Sequence, residues 1–166
     1  MVWSPPASHF KLNFDGAARG GLAASGGIII IHLGAPVAAY AGNLNGHSSN
    51  QVEAMALAWG IRLTLTMGIR IMDIKGDSKL IIDVVKGRNR LNWTIEGTIR
   101  DTLRLISGHD SFKIMHVYRE GNRVVDALAA LGLNFSSLRC WRNHNSLPDH
   151  VNFLLQEEKS KIPIND

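Results

Sequence analysis

At Asn50 the apolar residues of this chain change their spacing, and that change limits the folds open to it. Before it, Phe10, Leu12 and Phe14 alternate with Lys11, Asn13 and Asp15, the period of a strand with one apolar face. The runs SGGIIIIHLG (25–34) and PVAAYAGNL (36–44), punctuated by Gly and Pro, predict two further strands in a hairpin meander. After it, Val52, Met55, Trp59 and Leu63 recur at helical spacing, and Leu57, Ile61 and Leu65 widen the apolar surface. That predicts a largely buried helix from Asn50 to about Met67, ended by Gly68. Trp59 falls within this stripe and reads as core.

The remaining elements follow the same rules. IRIMDIKGD (69–77) returns to strand, with Met72 and Ile74 on one face and Asp73, Lys75 and Asp77 on the other. SKLIIDVVKG is a short helix and WTIEGTIRDTLRLISG (93–108) a longer one. SFKIMHVY (111–118) is a last strand, which leads through REGN into the helix NRVVDALAALG (122–132). The order β-β-β-α-β-α-α-β-α makes the class α/β. Residues 1–9, with WSPPAS, read as a Pro/Ser linker, 10–134 as the domain, and 135–166 as a tail in which LPDHVNFLLQEE is at most a short amphipathic helix.

A length of 166 residues suits one domain, and 45% hydrophobic with 19% charged residues suits a globular one. Cys140 is the single cysteine, so no internal disulfide can form and a reducing compartment is expected, nuclear or cytoplasmic, with an organelle interior also open. GGIIIIHLGA falls well short of the ~20 apolar residues of a membrane span, and the first ten residues lack a basic start and an apolar core. The expectation is a soluble monomer. A formal charge of +4 and a pI of about 9.5 favour an anionic partner without identifying it.

Four acids occupy recurrent places in this pattern. Asp15 is read at the end of the first strand, Glu53 in the first turn of the long helix, Asp77 at the end of the fourth strand and Asp126 inside the last helix. If a crossover brings the fourth strand parallel to the first, both aspartates reach the carboxyl edge of neighbouring strands, where open α/β sheets build sites. Clustered carboxylates raise one another's pKa unless cations neutralise them. Each acid also has an ordinary explanation. Asp15 can open a turn, Glu53 can close a capping box with Asn50, Asp77 can cap a helix, and Asp126 can face solvent.

The blocks NFDGA, SSNQVEAMAL, IKGDSKLI and HVYREGNRVVDALA, in that order, resemble the type-1 ribonuclease H family, in particular its plant reverse-transcriptase-like branch found in non-LTR retroelements and as free-standing genes. The resemblance implies a ribonuclease H-like α/β fold: a five-stranded mixed sheet in the order 3-2-1-4-5, three antiparallel strands then parallel ones, flanked by helices. It also implies a metal-dependent endonuclease that cuts the RNA strand of RNA–DNA hybrids by two-metal hydrolysis. Asp15, Glu53, Asp77 and Asp126 would hold two Mg²⁺ ions, with Mn²⁺ as a substitute. Gly16, Ser49, Asn50, Gln51 and Asn122 would meet the hybrid, and Ser48 a DNA phosphate.

This chain departs from the family in three places. RGGLAASGG lacks the usual Asn-Pro-Gly turn, and only KGRNRLNW stands where many bacterial members carry a basic protrusion. Lys86, Arg88, Arg90 and Trp93 are then the residues left to touch a strand, although Trp93 serves equally well as a helix-start core residue. The mobile catalytic His is absent because YREGN is too short to hold it. His116 reads as structural, and Arg119 becomes the candidate for an electrostatic role. GAARGG is not a dinucleotide loop, since a strand follows it, and Cys140, His144 and His150 are too irregularly spaced for zinc. Two rival readings stand beside the nuclease: a domesticated hybrid- or RNA-binding domain without turnover, and a piece of a larger reverse transcriptase.

Overall fold

A computed structural model of the protein describes residues 10–31, 34–88, 94–142 and 146–160. The chain runs β1 (Phe10–Arg19), β2 (Leu22–Ile30), β3 (Pro36–Asn43), α1 (Ser49–Thr66), β4 (Ile71–Gly76), α2 (Lys79–Val85), α3 (Glu96–Ile106), β5 (Ser111–His116), a 3₁₀ turn (Arg119–Asn122), α4 (Arg123–Gly132), β6 (Arg139–Trp141) and α5 (Asp149–Ser160). The strands form one mixed sheet in the order β5-β4-β1-β2-β3-β6. β4 lies parallel to both β1 and β5, and the other pairings are antiparallel.

Alternation along the strands divides the core in two. Leu12, Phe14, Ile29, Ala38 and Tyr40 face α1, α2 and α3, where Leu57, Ile61, Ile81 and Ile99 meet them. Ile28, Ala39 and Ala41, each next to one of those residues in sequence, face the opposite way onto Val125 and Leu128 of α4 and Val151, Leu154 and Leu155 of α5. Trp59 is partly buried against the first cluster, its ring edge-on to Tyr40 at 6.3 Å.

Three sequence expectations change. The sheet has a sixth strand, because β6 pairs Trp141 with Ala39 and Arg139 with Ala41. Three residues show no hydrophobic period, so a strand that short is invisible until its partner edge is known. The weak C-terminal pattern becomes a 12-residue helix, α5, whose Val151, Leu154 and Leu155 complete the second core. Asp15 does not end β1. Pairing with β2 continues to Arg19 opposite Leu22, and the hairpin turns at Gly20 and Gly21, whose φ values of 55° and 84° suit residues without a Cβ. No helix among the described residues is long and apolar enough to cross a membrane.

Candidate active site

The parallel ladder between β1 and β4 stops at Phe14 opposite Gly76. Asp15 and Asp77 are the next residues on each side, so they sit side by side where β1 and β4 part. β1 continues beyond this point with β2 as its neighbour, and Asp15 pairs with Gly26 and is 3% exposed.

Glu53 comes to the same place from α1. The helix is capped by Ser48, whose hydroxyl accepts from the Gln51 N–H (3.3 Å), while the Gln51 side chain accepts from the Ser48 N–H (2.7 Å). The box expected between Asn50 and Glu53 therefore sits two residues earlier, and Glu53 is free of it. Gly16 lets β1 approach this turn. A Cβ there would lie 2.7 Å from Val52 Cγ2 and 3.0 Å from the Glu53 nitrogen. Asp77 is not a cap either, since the Ser78 hydroxyl accepts from the Ile81 N–H to start α2.

One carboxylate oxygen each from Asp15, Glu53 and Asp77 lies within 4.8 Å of the others. Asp126 is half-buried on α4 and outside this trio, but its charge reaches Asp15. α4 comes this close because Gly26 has no side chain; a Cβ there would meet the Ala129 nitrogen at 2.6 Å.

The electrostatics are those of a crowded acidic site. Burial, then the charge of Asp77, pushes Asp15 up to about 7, against a hydrogen bond with Glu53 and the 2.8 Å bond accepted from the Gly16 N–H. Burial, then the charge of Asp15, pushes Glu53 up to about 10. Glu53 Oε2 is buried and has no hydrogen-bond partner. An orphaned acceptor costs free energy unless something fills its coordination. Three acid oxygens at this spacing, with a buried unpartnered oxygen on Glu53, match the all-oxygen donor set that hard divalent cations take. The residues present fit a Mg²⁺-type ion.

A cleft of about 390 Å³ opens beside the carboxylates, lined by Ser49, Asn50, Glu53, Asp77, Ser78 and the segment His116–Arg119. Of the residues expected to meet substrate, Ser49 and Asn50 line it, and so does Arg119. The Ser48 and Gln51 side chains are engaged in the helix cap, and Gln51 also donates to the Thr94 carbonyl (3.4 Å). Asn122 is 1% exposed and donates to the Phe14 carbonyl (3.3 Å), which ties the start of α4 to the strand carrying Asp15. Arg88 is exposed after α2 and does not line the cleft. Arg90 and Trp93 lie outside the described residues, as does His144.

Sequence reasoning did not find Tyr118, an exposed aromatic on the cleft rim, or the bond from His116 Nε2–H to the Asp77 carbonyl (3.1 Å). A lone tyrosine at the end of a strand pattern carries no signal of its own. The register that puts His116 opposite Gly76 is what brings them to the site.

A mixed sheet of this order, with acidic side chains gathered where β1 and β4 part, is the ribonuclease H fold. The crystal structure of RNase H1 from Halobacterium salinarum superposes with a TM-score of 0.72 at 29% identity, over 76% of this chain and 98% of that one. A family model described as reverse transcriptase-like matches residues 13–132, and the chain belongs to that family. Among curated proteins it is similar to an Arabidopsis thaliana protein named, provisionally, as a ribonuclease H protein, 29% identical over 161 residues. It is also 33% identical over 119 residues to ribonuclease HI of Halobacterium salinarum. The matches cover 93% and 70% of this chain but only 25% and 60% of those two proteins.

Proposed function

We propose that this domain is a divalent-cation-dependent endonuclease that cuts the RNA strand of RNA–DNA hybrids, leaving a 3′-hydroxyl and a 5′-phosphate. The observation that carries the reading is the trio Asp15, Glu53 and Asp77, with oxygens within 4.8 Å of one another and Glu53 Oε2 unpartnered. Two Mg²⁺ ions, or Mn²⁺ in their place, would supply a water of lowered pKa and stabilisation of the leaving 3′-oxygen. Asp15, Glu53 and Asp77 would hold them, with Asp126 contributing charge from α4.

The chain's own groups do the positioning. Gly16 keeps α1 against β1, so that Glu53 stays with Asp15. Ser49 and Asn50, on the first turn of α1, present polar groups to a minor groove, where the 2′-OH distinguishes RNA from DNA. Arg119 places a fixed positive charge beside the scissile region and favours the anionic strand without relaying protons.

The test is a labelled hybrid, an RNA duplex and single strands, each incubated with Mg²⁺, Mn²⁺ and EDTA. Cutting confined to the RNA strand of the hybrid and lost in EDTA is expected. Asp77→Asn should abolish it while the circular dichroism spectrum stays the same, since the change removes ligand charge from the end of a strand and no core volume. Tight hybrid binding with no cutting in either metal would make the domain a binding module, and full activity of Asp77→Asn would remove the metal-site assignment.

A further inference from the structure

Tyr118 is the most exposed large hydrophobic side chain among the described residues, at 79%. Its place is not an arbitrary surface. It lies between β5 and the 3₁₀ turn, on the rim of the cleft that holds Glu53 and Asp77. The His116 ring meets it edge-on, with centroids 5.5 Å apart and planes at 80°. His116 is itself held by its bond to the Asp77 carbonyl. The aromatic pair is thus fastened to the residue that brings one of the three carboxylates, and most of the tyrosine surface still faces solvent.

An aromatic ring braced in this way offers a face to a nucleobase, and base–aromatic stacking tolerates any base because each has a π-face. A base inside a continuous duplex is already stacked on both sides and cannot use that face. A terminal or unpaired base can. Arg119, the next residue and also on the cleft, supplies a cation for the phosphate of the same nucleotide.

We propose that Tyr118, braced by His116, forms a nucleobase-stacking subsite that takes an unpaired or terminal nucleotide next to the acidic centre. This rests on the nuclease reading for its substrate class and goes beyond it in specificity. The domain then prefers hybrids with a single-stranded junction over continuous ones.

Fluorescence anisotropy in EDTA reads the subsite without cleavage. It compares a continuous RNA–DNA hybrid with the same hybrid carrying a short RNA overhang, for the parent protein, Tyr118→Ala and Tyr118→Phe. The parent is expected to bind the overhang hybrid about tenfold more tightly, the order of effect that one stacked base contributes. Tyr118→Phe should keep that ratio and Tyr118→Ala should bring it close to one. Equal binding of the two hybrids by the parent, or an undiminished ratio in Tyr118→Ala, overturns the proposal. Cleavage of the continuous hybrid by the parent in Mg²⁺ is scored separately. If it fails while the Tyr118-dependent ratio holds, the nuclease reading falls and the stacking subsite stands.

Discussion

The ring of Phe14 occupies the space that a side chain on Gly76 would fill: a Cβ there would lie 2.5 Å from Phe14 Cζ and 2.6 Å from Cε1. This pair closes the β1–β4 ladder, and the next residues are Asp15 and Asp77. Packing and site geometry are therefore set by the same contact. Gly76→Ala must move a fully buried ring, so a loss of about 1–3 kcal/mol is expected, as for other overpacked cores. Denaturant melts should show it, with cleavage falling further than the folded fraction does. Unchanged melting would mean that the ring has room to turn aside.

The acidic site should make stability fall with rising pH when metal is absent. Asp15 goes from an ordinary 3.8 to about 7 on folding and Glu53 from 4.5 to about 10, so the folded chain holds protons that the unfolded chain releases. Their contribution is complete below the unfolded values and is lost as pH rises, through about 7 for Asp15 and toward about 10 for Glu53. Melting in EDTA should be lower at mildly alkaline than at mildly acidic pH. Glu53→Gln should reduce that slope. Added Mg²⁺ should raise melting more at the alkaline end, because it competes with protons for the same oxygens. A melting temperature that rises with pH in EDTA would contradict the proton-holding pair.

Ser48 and Asn50 should separate stability from substrate contact. The Ser48 hydroxyl caps α1, so Ser48→Ala is expected to cost about 1 kcal/mol of stability. Asn50 lines the cleft and plays no part in the cap. Asn50→Ala should leave melting unchanged and weaken hybrid cleavage by about 1–2 kcal/mol, the cost of a lost hydrogen bond that leaves a partner unpaired. Reduced melting with normal kinetics in Asn50→Ala would return that residue to a structural role.

Arg119 is exposed and lines the cleft. A guanidinium stays charged throughout the working range, so its contribution is electrostatic. Arg119→Ala should slow single-turnover cleavage or product release, and Arg119→Lys should restore part of the rate. If both variants match the parent in single-turnover and steady-state assays, the side chain is only solvated.

Periodicity is a local property, and the local sequence was enough for the strands from Phe10 to His116 and the long helix α1, whereas the run of four isoleucines has no alternation and only the structure sorts Ile28 from Ile29. The order of the four acid-bearing blocks likewise pointed to the fold before any coordinates. What needed the tertiary structure is what depends on two segments at once. β6 exists as a strand only because β3 offers an open edge to three residues, and α5 is core only because Ile28 and Leu128 leave it a surface. The cap of α1 was expected at Asn50 with Glu53 three positions later, whereas the folded helix is capped two residues earlier by Ser48 with Gln51 closing the box, which leaves Glu53 to the carboxylates. Asp15, Glu53 and Asp77 are far apart along the chain. Their meeting follows from one register, Phe14 opposite Gly76, and from a glycine small enough to let a helix close on a strand.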